Sequence, residues 1–446
     1  MSLSKASGGE AARPDVRRPR VRRIAGFAGA VLGIAISAPV HGQTAPPPVI
    51  RLTFGEAVER AQEKNPTVAA AAAGIIRAEG LVRQARAATL FQLAGNVTTT
   101  TLNRGIDFAG QTVLPQSQVN LALSADMPIV SAAAWARRTQ AADTRNVADL
   151  SVADVKRQIA FAAADAYLAI LAQRRLVESN MLARDAASAH FNLATELEQK
   201  GSGSRLNALR AQQQYSIDEG LVEISHLALY RAQEALGVLI AADGPADASD
   251  EPDFTGAATS ADTAQAGSLF RADLRLLGAQ QQAAERVLRD SSKEWWPSIT
   301  ASFQPATVYP AQLFAPQSSW RFLTQTTVPL FDSASRQSLR IQREATVEES
   351  RAALAGASLE AQSQIRAARE AVASGQRSLE SAQRAADQAR QVQSITNVSF
   401  RAGAATNIEV IDAERTARDA DLAVVNAEDQ LRRARLDLLK ALGRFP

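Results

Sequence analysis

The sequence predicts a mainly helical, tandemly duplicated chain in which each half joins two β-strands, of membrane-barrel type, to a long coiled-coil helical hairpin. Three observations predict this. Proline-free spans at 129–244 and 330–445 are each 116 residues long and lie 201 positions apart, and self-similarity at a fixed offset marks a repeat. Residues 132–200 contain neither Gly nor Pro, which allows a helix of roughly 100 Å. Segments near 92–104, 117–128, 298–308 and 319–330 carry strand-like patterns, period-two in most of them, as half-buried strands do.

The elements follow in order. Arg17, Arg18, Arg20, Arg22 and Arg23 precede an apolar run from Ile24 to Val40, and Val40-His41-Gly42 then offers small residues. This is the pattern of a cleaved export signal over 1–42. The first repeat is placed at 43–245 and the second at 246–446. Each opens with a helix, near 55–88 and 272–294. The strand patterns follow. Val119, Leu121, Leu123 and Ala125 alternate with Asn120, Ala122, Ser124 and Asp126, and Ile299, Ala301 and Phe303 alternate with Thr300, Ser302 and Gln304. Four such segments of about ten residues in an exported chain suit an outer-membrane barrel. A long helix follows each strand pair and ends at Gly201 or Gly403, residues suited to a left-handed cap. Return helices are expected near 204–241 and 406–443, N-capped by Ser204 and Thr406. In the last helix Val410, Ala417, Val424, Leu431 and Leu438 repeat every seven residues, with Ala413, Ala420, Ala427, Ala434 and Ala441 three positions on. This is an a/d seam in which alanine lets backbones approach closely. Residues 242–270, rich in Ala, Asp, Gly and Ser, read as the linker between repeats.

Composition excludes several functions. Apolar residues make up 46% and aromatics only 5%, which suits close-packed helices. Without residues 1–43 the chain holds 42 basic and 44 acidic residues, so the precursor pI of 9.4 does not argue for a nucleic-acid partner. There is no cysteine, which rules out disulfides, thiolate metal sites, a cysteine nucleophile and lipidation on cysteine. No catalytic or metal constellation is expected, because His190 and His226 sit on helices without partners at ligand spacing. No cofactor is expected.

The residues resemble the TolC-like outer-membrane efflux protein family. The resemblance runs from about 51 to 443. It is carried by Leu52-Thr53, Glu56-Ala57 and Asn65-Pro66, by Trp295-Trp296-Pro297-Ser298, by Val328-Pro329-Leu330-Phe331-Asp332, by Phe400-Arg401-Ala402-Gly403 through Ile411-Asp412-Ala413, and by Leu439-Lys440-Ala441-Leu442-Gly443. It implies a homotrimer with one shared 12-stranded barrel in the outer membrane of a Gram-negative-type cell and a helical tunnel in the periplasm. It also implies the exit duct of a tripartite efflux or type I secretion system. The partners would be a periplasmic adaptor (membrane fusion) protein and an inner-membrane transporter of RND, ABC or MFS type, with outer-membrane lipid around the barrel. A periplasmic coiled-coil scaffold or adaptor without a barrel stays open as the alternative.

Site candidates follow from this reading. Glu409 and Asp412, three residues apart, share one helix face, and the resemblance places them at the periplasmic constriction as a gate and selectivity ring. Glu409 also completes a Thr406-x-x-Glu409 capping box. The first repeat has Asn207 and Arg210 at the matching positions, so the acidic ring belongs to the second repeat alone. Gly201, Gly203 and Gly403 are candidate adaptor contacts, or simply helix caps. Trp295, Trp296, Tyr309 and Trp320 flank the strands as candidate interfacial aromatics.

Overall fold

The computed structural model describes residues 49–254 and 271–445. The expected signal over 1–42 and the second half of the expected linker lie outside these residues. The first half runs β1 (Ile50–Leu52), α1 (Phe54–Lys64), α2 (Pro66–Ala87), β2 (Gln92–Thr101), β3 (Ile106–Phe108), β4 (Gln111–Leu114), β5 (Ser117–Val130), α3 (Ala132–Gln199), α4 (Arg205–Leu239) and β6 (Ala246–Ala248). The second runs α5 (Ala272–Asp290), a 3₁₀ turn (Ser291–Trp295), β7 (Ser298–Tyr309), β8 (Ser318–Thr327), α6 (Ser335–Arg401) and α7 (Asn407–Ala441).

The opening helix expected over 55–88 is two helices. Thr53 and Glu56 exchange hydrogen bonds in a capping box that starts α1. Asn65 then ends α1 and caps α2, its Oδ1 accepting from the Thr67 N–H at 2.9 Å. Pro66 at the first position of α2 has no N–H for the preceding turn, so the break is local chemistry. The counterpart in the second half, expected to 294, is α-helical only to Asp290 and tightens into the 3₁₀ turn.

The linker reading also needs correction. Residues 246–248 are not a loose connection: β6 pairs in parallel with β1, and Ala246 and Ala248 are buried. Around this ladder lies the main hydrophobic core, with Leu52, Tyr167, Leu168, Leu236, Phe254, Leu436 and Phe445. The Phe54 ring meets Tyr167 and Phe254 edge-on, with centroids 5.5 and 5.4 Å apart. The Tyr167 hydroxyl bonds the Asp250 carboxylate. Burial and that carboxylate push its pKa up to about 12, so it remains a donor. Arg174 closes the cluster by donating to Asp247 at 2.7 Å.

From this core the helices extend as two antiparallel hairpins, α3–α4 and α6–α7, with α3 also packing on α7. Ala160, Ala163, Ala164, Tyr167, Leu168, Ile170 and Leu171 are buried along α3, the three-and-four spacing of one helical stripe. In α7 the seam buries Val410, Leu431 and Leu438 from one row and Ala413, Ala427, Ala434 and Ala441 from the other.

The four longer strands form one antiparallel sheet in the order β2-β5-β7-β8. The second strand of the first half continues to Val130 through an irregularity at Pro128. The last strand stops at Thr327, short of the expected 330. The polar loop between β2 and β5 carries a small hairpin of its own, β3–β4, which the sequence patterns did not single out.

Candidate functional site

Two regions hold the candidates: the helix tips and the sheet. Each tip is closed by a Schellman cap. In the first, the Gly201 N–H donates to Glu198 O and the Ser202 N–H to Leu197 O, both at 3.0 Å. In the second, Gly403 donates to Phe400 O at 3.0 Å and Ala404 to Ser399 O at 2.8 Å. Gly201 and Gly403 have φ of 73° and 78°, in the left-handed region that glycine enters without penalty. Gly203 answers to space: a Cβ there would stand 2.9 Å from Leu197 Cβ. All three glycines thus have a structural duty at the tip.

The return helices start as expected. Ser204 accepts from the Asn207 N–H at 3.2 Å. Thr406 accepts from the Glu409 N–H at 3.4 Å, and its own N–H donates to Glu409 Oε2 at 2.6 Å. These bonds from Thr406 lower the Glu409 pKa, so Glu409 is a charged cap. Glu409 and Asp412 are both exposed and line one groove of about 470 Å³ between α6 and α7, together with Ile395, Ala405 and Thr416. The pairing of the two carboxylates on one surface, inferred from spacing, is present.

Two further features join the hairpins near the tips. His190, read as an ordinary helix position, is buried. Its Nε2 lies 2.9 Å from Asn407 Oδ1, and its ring meets Phe400 edge-on at 5.3 Å. Asn407 Nδ2 in turn donates to Asn207 O at 3.4 Å. Burial lowers the His190 pKa, opposed by the bond to Asn407. Farther from the tip, Arg418 Nη1 meets the buried Asp218 at 2.6 Å, and Gln214 donates to the other Asp218 oxygen at 3.0 Å. Beside them Glu414 is pushed up to about 7, by burial first and by the Asp218 charge second. The missed signal was the offset itself: Asp218 and Arg418 stand 200 positions apart, near the repeat spacing, where matching heights of the two hairpins meet.

The sheet has two chemically distinct faces. Cross-strand pairs place Leu93 against Ala125, Val97 against Leu121, Val119 against Tyr309, Ala125 against Phe303, and Phe303 against Phe322. The opposite face carries Asn96, Asn120, Asp126, Ser302, Gln304 and Arg321, by strand alternation. Many of the large apolar residues are exposed, including Leu93, Val97, Leu121, Leu123, Phe322 and Trp320. The aromatics divide between the strand ends. Trp295 and Trp296 lie at the foot of β7, with the Arg336 guanidinium 4.9 Å over the Trp295 ring. Tyr309 ends the same strand, and Trp320 packs on Phe303 with ring centroids 6.0 Å apart. The twelve residues of β7 run about 40 Å, or roughly 30 Å of height at usual barrel tilt.

Comparison with known proteins places these features in a wider group. Residues 264–444 match the family model described as outer membrane efflux protein. No curated protein matches the chain. Among solved structures, the outer membrane protein VceC from Vibrio cholerae is similar with a TM-score of 0.73 at 18% identity, covering 87% of this chain and 96% of VceC. The CmeC outer membrane channel of Campylobacter jejuni is similar at 0.75 and 13% identity, covering 88% of this chain and 86% of CmeC. A membrane protein from Pseudomonas aeruginosa reaches 0.77 at 16% identity, covering 91% and 97%. At these identities the likeness establishes the fold.

Proposed function

We infer that this chain, a member of the TolC-like outer-membrane efflux protein family by the match of its second half and the fold of both halves, is the exit duct of a tripartite efflux or type I secretion system. The two-faced sheet carries this reading. Its strands are long enough to cross a bilayer, one face is apolar and solvent-exposed, and the outer edges of β2 and β8 have no strand partner among the described residues. A sheet of this kind is an aggregation hazard in water and needs closure in lipid. β8 of one copy can pair antiparallel with β2 of the next, which continues the up-and-down order.

Three copies would close twelve strands, the number the family resemblance implies. The hairpins below would then form a tunnel. The exposed Leu359, Val392, Ile395 and Val398 of α6 suit contact with neighbouring copies or with a periplasmic adaptor. The six carboxylates of Glu409 and Asp412 would ring the periplasmic end and favour cations. Gly201, Gly203 and Gly403 give the adaptor compact tips to dock on. Energy would come from an inner-membrane transporter, and Trp295, Trp296, Tyr309 and Trp320 would sit at the two lipid–water boundaries. The scaffold alternative gives no use for the exposed apolar face.

Fractionation tests the reading. The expected product is an outer-membrane oligomer that runs as a trimer unheated and as a monomer after boiling in detergent. A soluble periplasmic monomer contradicts it.

A further inference from the structure

Asp126 and Arg321 are the only charged side chains in the four strands of the sheet. They have opposite signs, and both belong to the polar face. Neither pairs with the other. Asp126 lies opposite Ser302, whose hydroxyl donates to its carboxylate. Arg321 lies opposite Gln304, to whose Oε1 it donates from Nε at 2.8 Å. Ser302 and Gln304 are next-but-one residues of β7, on one face and about 7 Å apart along the strand. The two charges therefore flank one strand, offset by about 7 Å along it. They are also two strand steps apart, which with that offset separates their backbone positions by about 12 Å, too far for an ion pair.

The strand order makes this spacing regular around a closed barrel, an argument that rests on the duct reading. Within a copy, the path from Asp126 to Arg321 is β5, β7, β8. From Arg321 to the Asp126 of the next copy it is β8, β2, β5. Both are two steps, so three copies place six charges around the lumen with alternating sign. We propose that these side chains form a charge-balanced belt on the barrel wall. The belt leaves the barrel open to solutes of either sign and to zwitterionic or amphiphilic cargo, and leaves charge selection to the carboxylates of the helix tips.

The dimensions make the balance matter. Twelve strands at ordinary spacing and tilt give a wall radius of about 12 Å. The Debye length is about 8 Å at physiological salt and about 30 Å at 0.01 M. Three unbalanced charges would polarise the whole bore at low salt, whereas six alternating ones nearly cancel on the axis.

Reversal potentials across planar bilayers in a dilute KCl gradient test the belt. Arg321→Gln leaves three carboxylates and is expected to raise the K⁺/Cl⁻ permeability ratio roughly twofold or more. Asp126→Asn is expected to lower it by a similar factor. The double variant returns to the wild-type ratio, and Arg321→Lys keeps it. Conducting single variants that leave the ratio unchanged, or shift it in the same direction, overturn the belt. If one single variant fails to insert, the other alone decides by the sign of its shift. A wild-type protein that never conducts overturns the duct itself and the belt with it, a result distinct from conducting variants that do not shift.

Discussion

Arg418 and Asp218 bind one hairpin to the other through a pair whose side chains are only 11% and 6% exposed. Removing one partner strands a buried charge, which costs roughly 3–5 kcal/mol. Arg418→Ala should therefore lower the thermal midpoint far more than Arg377→Ala, whose pair with Glu370 is exposed; equal losses would contradict the buried-pair account. Two other groups on the hairpins titrate in opposite senses. Glu414, raised from 4.5 to about 7, binds its proton more tightly in the fold. Its contribution is full below about pH 4.5 and is lost as pH rises through about 7. The Asp218 carboxylate on α4 and Asp421, Arg415 and Arg418 on α7 line the same cavity, and Glu414→Gln should flatten the stability-versus-pH curve in that window. His190 is lowered by burial, so its contribution is present above 6.5 and is lost as pH falls. His190→Gln should remove the acid-side loss, read from thermal midpoints at pH 5 and 7.5. None of Arg418, Asp218, Glu414 and His190 was legible as part of a pair or cluster beforehand. Their partners come from other helices, and spacing along one helix carries no information about what a second helix brings to it.

At the scale of elements, what was legible is what local sequence decides. The Schellman caps at Gly201 and Gly403, the N-caps Ser204 and Thr406, and the seam of α7 are short-range patterns, and each appears where its residues stand. Gly403→Ala at φ 78° should cost about 1 kcal/mol with unchanged helix content by circular dichroism. A larger loss would mean that the glycine also packs against something across the tip. Local patterns failed where tertiary pairing took over. The Asn65-Pro66 break was present in the residues but was read as part of one helix, because the alanine-rich stretch beyond it continued the helical composition. The short β6 looked like a linker because three residues of Ala-Asp-Ala carry no strand signal. Their conformation is set by pairing with β1 and burial in the main core. In the same way β8 stops at Thr327 while the apolar residues run on through Val328 and Leu330, which are exposed at the foot of the sheet.

For the whole molecule, the duplication supplies the architecture and its departures supply the asymmetry. Both halves give two strands of the main sheet and one helical hairpin, yet Glu409 and Asp412 of the second stand at the positions of Asn207 and Arg210 in the first. Asp412→Ala should raise single-channel conductance and lower cation preference in planar bilayers; unchanged channels would remove the carboxylate ring from the account. The central claim is that the free edges of the sheet meet between copies. The chain has no cysteine, so edge contacts can be read by cross-linking alone. A cysteine at Thr98 on β2, combined in turn with one at Ser319, Leu323 or Gln325 on β8, samples three registers on one face. Within one copy β2 and β8 are three strand steps apart, about 14 Å, beyond the reach of a disulfide. The account predicts oxidised dimers and covalent trimers on denaturing gels in one register and little product in the others. Monomer in every register, from protein recovered in the outer membrane, would contradict it.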